Sequence, residues 1–69
     1  MLIYTTQTQV RRAFWADHPG YAARYEMKRA HGATQNDYPA DVRSTFVDYV
    51  DSLQRAGLIS ERLAEKVTL

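Results

Sequence analysis

The clearest pattern of hydrophobic and polar positions lies between Pro39 and Gly57. At about 100° per residue, its apolar residues fall on one side of a helix and its charged residues almost opposite. The pattern therefore predicts a central amphipathic helix over about residues 39–56. Its apolar side holds Val42, Phe46, Tyr49, Val50 and Leu53, and its polar side holds Asp37, Asp41, Ser44, Asp48, Asp51 and Arg55.

Both ends of this helix carry signals. Pro39 suits the first helical position, where the missing N–H costs no hydrogen bond, and Asp37 lies just upstream, where it can accept from first-turn amides. Gly57 lies where a left-handed residue ends a helix, and Leu58 after it can contact Leu53, as in a Schellman motif.

The first forty residues predict further elements. Residues 1–5 are apolar, and we expect a short extended arm that covers the core. Thr6 and Gln9 have the spacing of a capping box, which predicts a helix over residues 7–17, ended by the sequence His18-Pro19-Gly20. Residues 21–30 contain good helix formers but a weak apolar stripe, and we expect a helix there, whereas residues 31–38 are rich in turn formers and we expect the main loop there.

After Gly57, Ser60 can cap a last short helix over residues 61–67, with Ile59, Leu63 and Val67 turned inward. The fold class is then all-α: a single domain over residues 1–69, built as a small bundle of three to four helices. The predicted core is Val10, Phe14, Val42, Phe46, Tyr49, Val50, Leu53, Leu58, Leu63 and Val67. A chain of 69 residues buries a modest core, so we expect a monomer or a homodimer.

Composition narrows the functional classes. The chain has no cysteine, no apolar run of the roughly 20 residues that span a bilayer and no signal-peptide pattern, so we expect a cytoplasmic protein that does not bind membranes. The net charge is +1, but the charges are unevenly distributed. Residues 1–36 hold five basic against two acidic residues, and residues 37–69 hold four basic against six acidic.

The carboxylates of the central helix are the first candidate for a binding surface. Asp37, Asp41, Asp48 and Asp51 lie near one line of the helix, where they can imitate phosphates and enter a basic groove on a partner. Asp41 and Asp48 are two turns apart, roughly 10 Å, which is too far for a paired acid and base. The alternative is an ordinary solvated face, partly neutralised by Arg55.

A second candidate is the set Arg11, Arg12 and Trp15 on the first helix, on the side away from Val10 and Phe14. The Arg11 guanidinium, four residues before Trp15, can lie over the indole, and both residue types are enriched at interface hot spots. The alternative is that Trp15 packs under the N-terminal arm or against the segment Tyr21–Tyr25.

A third candidate is a basic and aromatic run that can follow a phosphate backbone and stack on bases: Tyr21, Arg24, Tyr25, Lys28 and Arg29. Its alternative is again a solvated helix face. The two histidines, His18 and His31, have no partner ligands at helical spacing, so we expect no metal site and no cofactor. No nucleophile or acid–base pair is present, and we expect no enzymatic activity.

Four short motifs follow one another along the chain, each present once: Ala13-Phe14-Trp15 with His18-Pro19, then Gln35-Asn36-Asp37-Tyr38, Phe46-Val47-Asp48, and Gly57 followed by Ile59-Ser60. Together they resemble short uncharacterised proteins carried on phages and plasmids. The resemblance implies an accessory gene of a mobile element, and such genes often encode inhibitors of host defence complexes, including CRISPR interference complexes and restriction enzymes, or regulators of transcription.

The leading hypothesis is thus a small helical protein that binds a host protein or nucleoprotein complex and inhibits a defence system, in the manner of anti-CRISPR or antirestriction proteins. We favour the acidic face as the contact because a rigid helix avoids ordering costs on binding. The alternative is a nucleic-acid-binding transcriptional regulator.

Overall fold

The structure, a computed structural model, describes residues 2–69, and over that range the chain is helical with no strand, as the sequence predicts. Met1, the first residue of the predicted arm, lies outside the described residues. A short 3₁₀ turn, Gln35–Asp37, precedes the longest helix. The number of α-helices within residues 2–69 is five, not the expected three to four: α1 (Gln7–Asp17), α2 (Pro19–Arg24), α3 (Glu26–Ala30), α4 (Ala40–Arg55) and α5 (Glu61–Lys66).

Helix α1 begins with the predicted capping box. The Thr6 hydroxyl accepts a hydrogen bond from the backbone N–H of Gln9 at 3.2 Å, and the Gln9 side-chain oxygen accepts from the backbone N–H of Thr6 at 3.2 Å. The same oxygen also accepts from the N–H of Thr5 at 2.7 Å. Three amides that precede or open the helix are thus satisfied locally, which is why the predicted bounds of this helix are confirmed.

The next segment differs from the sequence-based expectation. Pro19 opens α2 as its first residue, so the chain resumes a helix at once instead of turning before residue 21. The expected helix over residues 21–30 is interrupted at Tyr25, whose backbone (φ −109°, ψ 22°) separates α2 from α3. The ring of Tyr25 is buried, and the interruption coincides with this burial.

Helix α4 ends as predicted but begins differently. Gly57 has a φ of +74°, Leu58 N–H donates to the Leu53 carbonyl at 3.0 Å, and Gly57 N–H donates to the Gln54 carbonyl at 3.0 Å. This is the Schellman pair of hydrogen bonds. At the other end Pro39 is the N-cap residue with extended backbone, not the first helical residue, and no side chain caps the helix.

The turn between α4 and α5 caps α5 and binds the segment that precedes α1. Ser60 caps α5, since its hydroxyl accepts from the Leu63 N–H at 3.1 Å. The N–H groups of Ile3 and Tyr4 both donate to the Leu58 carbonyl, at 2.8 and 3.3 Å. Ile3 and Tyr4, ahead of α1, are therefore hydrogen-bonded to the α4–α5 turn.

Most of the residues predicted to form the core are buried. The core also contains three aromatic residues that were not predicted there, Trp15, Tyr25 and Tyr38. Tyr49 and Leu58, expected inside, are only partly buried. Helix α1 packs on α2 and on α4, and α4 packs on α5. The radius of gyration is 11.6 Å, close to the roughly 11 Å expected for a compact chain of this length. The buried residues are Val10, Phe14, Trp15, Tyr25, Tyr38, Val42, Phe46, Val50, Leu53, Ile59, Leu63, Val67 and Leu69.

Candidate functional site

The solvent-facing side of α4 carries three carboxylates. Asp41 and Asp48 are exposed and take part in no ion pair within residues 2–69, whereas Asp51 pairs with Arg55 at 2.6 Å, one helical turn further on. Thr45 and Ser52 direct their hydroxyls to the backbone carbonyls of Asp41 and Asp48, at 2.8 and 3.0 Å. Because these two hydroxyls bind backbone oxygens and neither aspartate forms an ion pair, the exposed carboxylates of Asp41 and Asp48 face solvent within the described residues. We call Asp41, Asp48 and Asp51 the acidic face.

Asp37 does not belong to this face, contrary to the expectation from sequence. It lies in the 3₁₀ turn before α4, and its carboxylate accepts from the backbone N–H of Thr34 at 2.8 Å and from the Thr34 hydroxyl at 3.2 Å. These hydrogen bonds, with a smaller contribution from the charge of Lys28, lower the pKa of Asp37 below its usual value. Asp37 thus stabilises the turn and does not cap α4.

The expected patch of Arg11, Arg12 and Trp15 does not form. Trp15 is 8% exposed and packs edge-on against Phe14, with ring centroids 5.0 Å apart. Arg11 does not cover the indole: its guanidinium donates to the Thr68 carbonyl and to the Gln7 side chain. Arg12 alone of the three is exposed. Trp15 is therefore buried, as the alternative expected, but the rings next to it are those of Phe14 and Tyr38.

Several side chains of the basic run on α2 and α3 make contacts within the protein. Tyr25 is buried and cannot stack on a base. Arg29 lies over the ring of Trp15, 4.8 Å from its centroid, and donates to the Ala22 carbonyl at 3.2 Å. Lys28 donates to the Asp37 carbonyl, and Arg24 lies 5.6 Å from the Tyr25 ring centroid. This run therefore lacks an exposed ring flanked by unengaged cations.

A hydrogen bond that the sequence pattern does not indicate joins α1 to α4. The Tyr49 hydroxyl donates to the Asp17 carboxylate at 2.7 Å, across 32 positions of sequence. Burial, and then this hydrogen bond, raise the pKa of Tyr49 well above its ordinary value. The contact holds the inner flank of α4 against α1, so the opposite side of α4, with the acidic face, is held toward solvent.

A groove adjoins the acidic face on the side of α5. Its volume is about 200 Å³. Val47, which is 59% exposed, is one of its apolar residues, and Asp51 of α4 and Glu65 of α5 each contribute a carboxylate. The sequence pattern does not reveal this groove because it depends on how α5 packs against α4. The lining residues are Gln35, Phe46, Val47, Val50, Asp51, Gln54, Ala64, Glu65 and Val67.

The two histidines each lie at the C-terminal end of a helix. His18 ends α1, with Nδ1 2.8 Å from the Phe14 carbonyl oxygen, and its ring lies 4.4 Å from that of Phe14. His31 is exposed after α3. No three His, Cys, Asp or Glu side chains within residues 2–69 are grouped as a metal site. None of the helices in this range is long and apolar enough to cross a membrane.

Comparisons with protein-family models, curated proteins and solved structures found no match. The fold and site geometry of the chain itself are thus the basis for a functional assignment.

Proposed function

We propose that this protein is a small helical binding protein that uses the acidic face of α4 to occupy a basic surface on a larger protein or nucleoprotein complex. The observation that carries the proposal is the open state of Asp41 and Asp48, which lie seven residues apart on the longest helix, make no ion pair within the described chain and take no part in capping.

The structural context supports this choice over the other surfaces. Of the rings that the competing surfaces need, Trp15 and Tyr25 are buried and Tyr21 is half-buried, whereas the acidic face lies on a helix that packs against both α1 and α5. A rigid helix loses little conformational entropy on binding, and complementary charge speeds association and selects the partner. The scaffold behind it is a small helical bundle, with the segment before α1 serving as an arm over the core.

The proposed biological setting follows from the resemblance of the sequence motifs to short phage and plasmid proteins. In that setting the partner is a host defence complex in the cytoplasm, such as a CRISPR interference complex or a restriction enzyme, and the protein inhibits it by covering a surface that binds nucleic acid. An exposed row of carboxylates is chemically suited to such a surface because nucleic-acid-binding grooves are lined with Lys and Arg.

The test is affinity capture from a host extract with tagged wild-type protein and with the double variant D41K/D48K, followed by mass spectrometry. A matched control is E26K/E61K. It changes the net charge by the same four units, and Glu26 and Glu61, like Asp41, lie in the first turn of a helix.

The proposal predicts one or more proteins that are captured by the wild type and by E26K/E61K but not by D41K/D48K. Capture of the same proteins by all three forms would contradict it. Capture that depends on added nucleic acid and is lost after nuclease treatment would favour the alternative, a regulator that binds nucleic acid.

A further inference from the structure

The groove between α4 and α5 has the size and the chemistry to receive one long side chain. Its volume of about 200 Å³ lies below the roughly 300–1,000 Å³ typical of sites for small molecules and cofactors. Val47, Val50 and Ala64 give it an apolar surface, whereas Asp51 and Glu65 bring one carboxylate from each helix. An apolar surface beside two carboxylates fits a side chain with an aliphatic stem and a cationic end.

From this geometry we propose that the groove binds an arginine side chain of the partner protein, with the stem on the apolar surface and the guanidinium between Asp51 and Glu65. This inference rests on the proposed function, since it names the residue type that the acidic face recognises in its partner.

Arginine fits better than lysine for two reasons. Gln35 and Gln54 also line the groove, and their side-chain amides add possible acceptors to the two carboxylates, which suits a guanidinium with its five N–H donors in one plane. Moreover, Asp51 already binds a guanidinium in the free protein, that of Arg55 at 2.6 Å. The Arg55 side chain is 79% exposed, and such an exposed ion pair is weak enough to be exchanged for a better-buried one.

The test uses a short peptide as the probe, acetyl-Gly-Ser-Arg-Ser-Gly-amide, titrated into isotopically labelled full-length protein and followed by nuclear magnetic resonance. The control peptide has citrulline in place of arginine, which keeps the shape and removes the charge. We expect saturable shifts at the backbone amides of Val47, Asp51 and Glu65 with the arginine peptide, with a dissociation constant on the order of 1 mM, and much weaker shifts with the citrulline peptide.

Three variants make the result specific to the groove. E65Q should weaken binding roughly tenfold, as expected when a charged acceptor is lost, and R55Q should strengthen it severalfold because Asp51 is released. A64L, which fills the groove with a larger apolar side chain, should abolish binding, and the amide spectrum of each variant shows directly whether it is folded.

Equal binding of the two peptides, or shifts confined to other parts of the chain, would overturn the inference. Its failure can be told apart from failure of the proposed function, because D41K/D48K leaves the groove intact. Loss of partner capture by D41K/D48K together with no arginine binding overturns the groove alone. Arginine binding in the groove together with unchanged capture by D41K/D48K overturns the proposed role of the acidic face.

Discussion

Replacement of Phe14 by alanine should remove much of the stability of this fold. The Phe14 side chain is 0% exposed, and its ring lies 5.1 Å from that of Phe46 and 5.6 Å from that of Tyr49. It therefore joins α1 to α4. A Phe-to-Ala change in a core costs about 3–5 kcal/mol, whereas a chain of this length has a total stability of roughly 3–10 kcal/mol. F14A should thus be largely unfolded, or close to it.

Urea unfolding followed by circular dichroism and by the fluorescence of Trp15 measures this effect. Trp15 is the only tryptophan and packs against Phe14 at 5.0 Å, so its emission reports on the same cluster. With a slope of about 1 kcal/mol per molar urea, a variant that stays folded should unfold at a midpoint about 3 M or more below the wild type. V47A, which truncates a side chain that is 59% exposed, should change the stability by less than about 0.5 kcal/mol.

An F14A midpoint as close to wild type as that of V47A would refute the assignment of the core. The milder variant F14L keeps most of the apolar area but loses the edge-to-face contacts, each worth about 0.5–1.5 kcal/mol. It should therefore fall between the two, and it keeps the test informative if F14A does not fold.

Further predictions concern the turns and the α1–α4 hydrogen bond. G57A should lower the free energy of unfolding by about 1–2 kcal/mol because Gly57 has a φ of +74°. The matched change G20A, in α2, should be neutral or stabilising. The midpoints of urea unfolding of the two variants measure the difference. S60A should cost about 1 kcal/mol through loss of the α5 cap, and equal stability of S60A and wild type would contradict that cap. Burial, and then the hydrogen bond to Asp17, raise the pKa of Tyr49 in the folded state, so its contribution to stability is present below its ordinary value of 10.0 and is lost as pH rises above it. In urea unfolding at pH 9–11, wild type should lose stability more steeply than Y49F. Parallel losses would contradict the raised pKa.

The features that sequence predicts well are those set by neighbouring residues. The capping box of Thr6 and Gln9 and the Schellman ending at Gly57 each involve groups within five positions of one another. These hydrogen bonds depend on the local sequence and backbone and not on contacts with distant segments. The apolar side of α4 is likewise a local pattern, and four of its five predicted residues are buried.

The aromatic group around Trp15 could not be predicted in this way. Trp15 and Tyr38 have ring centroids 5.5 Å apart, and Tyr25 and Tyr38 have centroids 5.8 Å apart, although these rings come from α1, the α2–α3 break and the segment before α4. Only the packing of distant segments brings them together. That packing also places Arg29 over the indole, so one cation of the basic run and the ring of Trp15 are engaged with each other.

The predicted place of Asp37 on the polar side of the central helix was also wrong. Counted on an uninterrupted helix it aligns with Asp41 and Asp48, but the extended backbone at Tyr38 and Pro39 ends the preceding turn before α4 begins. Its carboxylate is then nearest to Thr34, whose amide and hydroxyl it binds. A Thr three residues ahead of an Asp is a capping-box spacing, and that signal could have located Asp37 in a turn of its own.

The most direct test of the acidic face is the affinity of the captured partner for wild type, D41K/D48K and E26K/E61K, measured by titration calorimetry at two salt concentrations. Because like charges facing each other across an interface cost several kcal/mol, D41K/D48K should bind more than tenfold more weakly, whereas E26K/E61K should bind as wild type does. The wild-type affinity should also fall as salt rises, since exposed charges are screened. Equal affinity of D41K/D48K and wild type at low salt would contradict the account.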